Sequence, residues 1–275
     1  MSMPEPLSRR TRQALDGIHR FVGRSHFLTG VAVKIRNQCD AVIGAALADG
    51  IDPTVNGESW LLRKFNGTIT HFVDVGANVG EWTELVLSSN RSAEGLCFEP
   101  APSALSVLQT RARDWPKVSI RPAAVGDVAG TMRFLDYGNG ALTSGEASVV
   151  EEDGRTANRL TVPVVTLDEE CAAAGWGEID LLKVDAEGND WRVLRGAQRL
   201  LRKRAIRVVQ FEYGAFWIRS GGTLTSTISF LEGCGYSVFR LRKWGLSAVE
   251  LPRYGEYFRY SNYVAVRSGD AGLAP

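Results

Sequence analysis

The stretch Phe72-Val73-Asp74-Val75-Gly76-Ala77-Asn78-Val79-Gly80-Glu81-Trp82 decides the fold. His71 to Val75 is a compact, mostly apolar run of strand character, and Glu81 to Ser89 reads as a helix. Gly76 and Gly80 lie in the turn between them. Glycines in a strand-to-helix turn allow a tight bend and close approach of a ligand to the backbone. The helix start offers N–H groups that have no intrahelical acceptor. A nucleotide-containing cofactor is the natural occupant of such a loop.

Which cofactor follows from charge. The dinucleotide fingerprint has a middle glycine where this chain has Asn78, and a Walker loop ends in Gly-Lys-Ser/Thr where this one ends Gly80-Glu81-Trp82. Asp74 just before the first glycine would repel a pyrophosphate. S-adenosylmethionine carries no phosphate. Its ammonium and sulfonium suit acidic side chains, and its carboxylate suits helix N–H groups. Glu99 ends the next strand-like run, Glu94 to Glu99, 19 positions beyond Gly80, where an acid accepts hydrogen bonds from ribose hydroxyls.

Outward from this unit, short β runs alternate with helical ones. Helices are expected over Pro102 to Arg113, Leu167 to Ala174, Asp190 to Arg202 and Thr223 to Gly233. Strands are expected over Lys117 to Ala124, Ile179 to Asp185, Ala205 to Glu212, Tyr236 to Leu241 and Tyr260 to Val266, with Thr131 to Leu135 and Leu160 to Thr166 as a local antiparallel pair. This order predicts an α/β fold, a mostly parallel sheet with helices on both faces. Ligands then bind beyond the carboxyl ends of the strands. Gly138 to Asn158 is polar and aperiodic, a candidate lid or a plain surface loop.

Four segments in order make the chain resemble the FkbM family of S-adenosylmethionine-dependent methyltransferases. They are Phe72 to Gly80, Phe98-Glu99-Pro100, Ala123-Ala124-Val125-Gly126-Asp127, and Val165-Thr166-Leu167-Asp168 followed by Ile179-Asp180-Leu181-Leu182-Lys183-Val184-Asp185-Ala186-Glu187-Gly188. The family usually carries an acid directly after the last stretch; here Asn189-Asp190 follows. The resemblance implies a Rossmann-like class I methyltransferase fold of seven strands with the last reversed. It also implies methyl transfer to oxygen, often on a sugar, polyketide or other secondary metabolite. The cofactor site is expected at Asp74, Gly76, Ala77, Asn78, Gly80, Thr83, Glu99, Pro100, Ala124, Val125 and Asp185.

A hydroxyl acceptor must lose a proton, so a base near it is expected. The catalytic candidates are Asp185, Glu187 and Glu212. Asp185 would orient the acceptor or the cofactor's methionine portion. Glu187 would act as base, or alternatively cap the following helix. Glu212 would share the site. Lys183 is expected to pair with a nearby acid. Three carboxylates suit a hard cation such as Mg²⁺, but acids scattered at strand ends define no geometry, and no metal site is predicted. His19, His26 and His71 lie away from the acceptor strands. Trp191, Tyr213, Phe216, Trp217, Trp244, Tyr254 and Tyr257 are read mainly as core, with stacking on an acceptor as the alternative. The basic face of Arg192, Arg195, Arg199 and Arg202 is read as solvated, or as a site for an acidic partner.

Residues 1–66 read as a helical extension to a methyltransferase domain at 67–275, with helices over Arg12 to Val22, Val31 to Ala48 and Glu58 to Phe65. The extension is expected to pack on the main body or to form a homodimer contact. Lys+Arg 32 against Asp+Glu 31 gives a net charge of +1, which disfavours a globally basic nucleic-acid binder. No apolar run near the start suits a membrane span, and Cys39, Cys97, Cys171 and Cys234 form no metal-ligand spacing, so buried free thiols in the cytoplasm are expected, with no membrane partner. The acceptor is expected to be a hydroxylated small molecule. An RNA methyltransferase and a degenerate methyltransferase-fold interaction module are the alternative readings.

Overall fold

The computed structural model describes residues 9–47, 55–136, 142–144, 158–249, 251, 255–270 and 272. The chain divides into two compact units, Met1–Ala48 and Asp49–Pro275. The first holds helices α1 (Arg9–Gly23) and α2 (His26–Leu47). The second begins its described secondary structure with α3 (Glu58–Phe65). The expected boundary at 66/67 therefore differs from the compact division. Leu61, Leu62 and Phe65 of α3 are buried in one hydrophobic cluster with Phe72, Trp82 and Val264, which ties the helix to the larger unit.

That unit continues through β1 (His71–Val75), α4 (Glu81–Ser89), β2 (Glu94–Phe98), α5 (Pro102–Arg111), β3 (Val118–Arg121), β4 (Ala124–Val125), β5 (Gly130–Asp136), β6 (Leu142–Ser144) and β7 (Asn158–Val165). Then come α6 (Leu167–Ala173), β8 (Ile179–Val184), α7 (Asp190–Gly196), α8 (Gln198–Arg202), β9 (Ile206–Tyr213), α9 (Trp217–Ser220) and α10 (Leu224–Gly233). The closing strands are β10 (Tyr236–Arg242), β11 (Gly245–Ser247) and β12 (Ser261–Arg267).

The main sheet has the order β11-β10-β12-β9-β8-β1-β2-β3. β3, β2, β1, β8 and β9 run parallel, while β12 pairs antiparallel with both β9 and β10. This is the expected mostly parallel sheet with a reversed last strand. It has eight strands rather than seven, because the chain turns after β10 and lays β11 along the edge. β1 and β8 are buried on both faces, as expected for a parallel sheet covered by helices.

A second sheet, β4-β7-β5-β6, contains the expected antiparallel pair as β5 and β7. Two expected elements break in the structure. The run from Lys117 to Ala124 divides into β3 and β4, which join different sheets. The helix from Asp190 to Arg202 divides at Ala197, whose φ of −103° departs from helical values. Most of Gly138 to Asn158 lies outside the described residues; within it 142–144 forms β6, antiparallel to β5.

Gly57 shows why the turn before α3 takes glycine. Its φ is +98°, and a Cβ there would lie 2.5 Å from the Arg242 carbonyl oxygen and 2.7 Å from Leu241 Cγ. Side chains resist that conformation and the space is taken. Gly57→Ala is expected to cost more than about 1 kcal/mol, read as a lowered midpoint in urea unfolding with an unchanged slope.

Candidate active site

The site is built where β1, β2, β8 and β9 end side by side. Val75 is in register with Phe98 and Val184, and Val184 with Phe211. The chain leaves β1 through Gly76 (φ +79°) and Asn78 (φ +48°), and leaves β8 through Glu187 (φ +50°) and Gly188 (φ +95°). Positive φ at two residues with side chains is uncommon and is held by surrounding contacts. Gly76 and Ala77 N–H both donate to the Phe98 carbonyl, each at 3.0 Å. Asp185 N–H donates to the Val75 carbonyl at 3.0 Å. A Cβ on Gly76 would collide with the Asp185 carbonyl oxygen.

Two cavities meet at these loops. The first has mostly apolar walls that include Phe98, Pro100, Ala124, Val125 and Met132. The second, the roomier, is lined by polar groups of Asn56, Glu58, Asn78, Glu81, Lys183, Glu212, Tyr260 and Asn262, with Trp82 and Ala77 beside them. Gly76, Asp185 and Glu187 line both.

Of the residues expected at the cofactor, Gly76, Ala77, Asn78, Pro100, Ala124, Val125 and Asp185 therefore line a cavity. Asp74, Gly80, Thr83 and Glu99 are not among the lining residues and shape the loops instead. Asp74, fully buried, accepts from Thr83 Oγ1 at 2.6 Å. Its other oxygen has no partner among the described residues, and burial raises its pKa. Gly80 (φ +89°) packs so closely on Leu108 and Trp115 that a Cβ would lie 2.8 and 2.9 Å from them. Glu99 accepts from Asn78 N at 2.8 Å and from Ala101 N at 2.7 Å, holding two strand-end loops with one carboxylate.

All three catalytic candidates line the second cavity. Lys183 is the only cationic side chain among the described lining residues of either cavity, and it pairs with Asp185 at 2.9 Å, as expected. The acids around it hold its pKa up against the effect of burial. Glu187 stands in the turn after β8 rather than in the strand. It does not cap the following helix, whose N-cap Asn189 has no side-chain cap hydrogen bond; Asp190 holds the preceding turn, accepting from Gly188 N at 3.1 Å and Ala186 N at 3.3 Å. No hydrogen bond or ion pair among the described residues engages the Glu187 carboxyl. Burial, followed by the negative charge of Asp185, pushes its pKa up to about 7. Burial and the charges of Asp185, Asp190 and Glu187 push Glu212 further up, so that it is protonated at neutral pH. Among the described residues no group of three or more His, Cys, Asp or Glu side chains forms a metal-holding cluster.

Four lining residues of the second cavity from outside the strand-end loops escape the sequence reading of the site, Asn56, Glu58, Tyr260 and Asn262, as does Met132 of the first. Asn56 accepts from Glu58 N at 3.0 Å, and Glu58 accepts from Gln210 Nε2 at 2.6 Å. Asn262 Nδ2 donates to the Tyr260 hydroxyl at 3.3 Å. The available signal was Asn56-Gly57-Glu58, a turn followed by an acid. Asn189, at the departure from the family pattern, lines the first cavity and donates from Nδ2 to the Val125 carbonyl at 2.9 Å.

Of the aromatic residues read mainly as core, Tyr213 and Trp217 are core and Tyr257 packs against it. Tyr213 and Trp217 pack with Phe211 and Tyr263, and neither lines a cavity. Trp82 and Tyr260 are the aromatic groups at the second cavity. Phe216 and Trp244 are exposed, and Tyr254 lies outside the described residues. Arg192, Arg195, Arg199 and Arg202 are exposed, with Arg199 paired to Asp168 at 3.4 Å. Cys97, Cys171 and Cys234 are buried free thiols, but Cys39 is exposed on α2.

The order β3-β2-β1-β8-β9-β12-β10 along the main sheet, the reversed β12 and a cleft beside the glycine loop define a class I methyltransferase fold. The family model described as Methyltransferase FkbM domain matches residues 74–238. The chain belongs to this family. It is 27% identical over 191 residues to the 31-O-demethyl-FK506 methyltransferase FkbM of Streptomyces tacrolimicus, a match covering 60% of this chain and 72% of that one. A crystal structure of the methyltransferase FkbM from Methylobacillus flagellatus KT is 16% identical with a TM-score of 0.46. It matches over 71% of this chain, which spans 43% of that chain's length.

The charge arrangement predicts opposite shifts in two variants. Asp185→Asn removes the negative neighbour of Glu187 and is expected to lower its titration midpoint below about 7. Lys183→Met removes the one nearby cation and is expected to raise it. Carbon-13 NMR of the Glu187 carboxyl measures both. Because folding raises this pKa, stability present below the unfolded value is lost as pH rises towards about 7. Glu187→Gln is expected to flatten that part of the stability–pH curve.

Proposed function

We propose that this chain is an S-adenosylmethionine-dependent O-methyltransferase acting on a hydroxyl of a small molecule of sugar, glycoside or polyketide type. The observation that carries this reading is the meeting of an apolar-walled cavity and a polar one at Gly76, Asp185 and Glu187. Family membership supports methyl transfer, and the Streptomyces relative, a 31-O-demethyl-FK506 methyltransferase, supports oxygen as the acceptor atom. A cytoplasmic location agrees with free thiols and with the absence, among the described residues, of a helix long and apolar enough to cross a membrane.

The residues fit this cofactor. The cavities offer acids and no arginine among their described lining residues, and the single lysine is already paired. That suits a ligand with cationic centres and no phosphate. Phe98, Pro100, Ala124 and Val125 would hold the adenine, with Glu99 behind them bracing the loops at Asn78 and Ala101. The backbone of Gly76 to Asn78 and the start of α4 would hold the carboxylate, with Asp185 near the methionine portion. Asp74, Thr83 and Gly80 keep the loop in shape. When bound, S-adenosylmethionine supplies a methyl group on a sulfonium, open to in-line displacement.

The chain's own part is to orient the acceptor, exclude water and take a proton. Glu187 receives the hydroxyl proton on a carboxylate oxygen; a pKa of about 7 suits a base working near neutrality. Protonated Glu212 donates a hydrogen bond to the acceptor. Asp185, held by Lys183, keeps the two loops aligned.

Calorimetric titration with S-adenosylmethionine and S-adenosylhomocysteine, then a methyl-transfer screen of hydroxylated acceptors, tests the proposal. Micromolar cofactor binding is expected, and its absence would overturn the reading. Glu187→Gln is expected to lower kcat by about 100-fold or more while cofactor affinity holds. In the unaltered chain kcat should rise with pH through about 7, as Glu187 loses its proton. Equal losses of affinity and turnover would make Glu187 structural.

A further inference from the structure

We propose that α1 and α2 dock this chain on an anionic lipid bilayer, lying in the plane of its surface. The argument starts from α2, 22 residues long and exposed along nearly all of its described length. At about 100° per residue, Phe27, Val31, Val42, Ile35, Leu28 and Ile43 fall in that angular order within one arc of roughly 160°. All six are exposed, Phe27 by 77% and Val42 by 71%. The arc's other members up to Ile43 are Ala32, Gln38 and Cys39. Lys34 and Arg36 stand just outside its two edges, each about 20° beyond. The opposite side carries His26, Thr29, Gly30, Asn37, Asp40 and Gly44, with Val33 and Leu47 as its large apolar members.

α1 repeats the design. Leu15, Ile18, Phe21 and Val22 fall within roughly 120° of one another, and Ile18 and Phe21 are exposed. An apolar face bordered by cations, on a helix too polar to span, is the pattern of an interfacial helix. The apolar side chains enter the headgroup–acyl boundary, while lysine and arginine reach the phosphates.

Charge selects the occupant. Residues 9–47 hold seven Lys and Arg against two Asp, +5 in a chain whose total is +1. The remainder therefore carries −4, so positive charge is segregated into the segment of these two helices and the turn between them. A second copy would set +5 against +5, whereas an anionic surface attracts it. This contact differs from the spanning one that the sequence excludes, and among the described residues no helix qualifies as a span.

The test uses the full chain, sedimented with phosphatidylcholine vesicles or with mixed phosphatidylcholine–phosphatidylserine vesicles. Sedimentation with the mixed vesicles alone is expected, weakening as salt rises. The double variant Phe27→Ser with Val42→Ser, and separately Lys34→Glu with Arg36→Glu, should each weaken binding by more than about tenfold. Both should keep the melting temperature and the molar mass by light scattering. No binding to mixed vesicles, or equal binding to both kinds, would overturn the proposal. So would a change of molar mass in the Phe27/Val42 variant, which would make the face a contact between copies. A lowered melting temperature there would assign the face to packing within the chain and would also overturn it.

Discussion

The larger unit depends on one close backbone approach, Gly76 against the carbonyl of Asp185. Parallel strands in register must both leave the sheet at the same level. The loops after β1 and β8 therefore compete for one space. With no Cβ at Gly76 they share it, and Asp185 N–H completes the ladder on Val75. Any side chain at Gly76 would push the loops apart. Both cavities would then lose a common wall, since Gly76 and Asp185 line each of them. The acids of the β8 loop thus reach the glycine loop through a packing constraint rather than through an attraction between them.

Electrostatics then sorts those acids into different states. Asp74, Glu58, Asp185, Glu187 and Glu212 share one buried ammonium, Lys183, and Asp190 feels the charge of Asp185. One cation cannot compensate five carboxylates in a poorly hydrated place, so burial and mutual repulsion drive protons onto some of them. Asp185 has the direct ion pair. Asp190 is pushed up to about 8 while accepting loop N–H groups, and Glu187, which lines both cavities, to about 7. Neighbouring carboxyls with separated proton affinities are how one site provides both a proton acceptor and a hydrogen-bond donor near neutral pH.

The wall of the second cavity comes from distant parts of the sequence. Asn56 and Glu58 arrive from the turn before α3, Tyr260 and Asn262 from the start of β12, and Glu212 from the end of β9. Register explains the last meeting, since Asn262 lies opposite Glu212. The Glu58–Gln210 hydrogen bond joins α3 to β9 across the core. Residues this far apart have no spacing to be recognised by, which is why the sequence reading passed over all four of Asn56, Glu58, Tyr260 and Asn262.

What the sequence by itself determined is local. A strand, a glycine turn and a helix lie within Phe72 to Trp82, so periodicity and glycine placement sufficed for the fold class. The acid at Glu99 and the Asp185–Glu187 stretch were legible because strand ends in such folds are where ligands bind. Lys183 beside Asp185 could be read as a pair, since alternate strand residues share a side. The tertiary structure alone decided which residues touch a ligand-sized space and which only shape it. Asp74, Thr83, Gly80 and Glu99 moved to the second group because their hydrogen bonds and packing go to the protein. It alone decided the division at Ala197, the eighth strand and the protonation order of the carboxyls. Those depend on burial and on distances between segments far apart in the chain, and neither is encoded in any short run of residues.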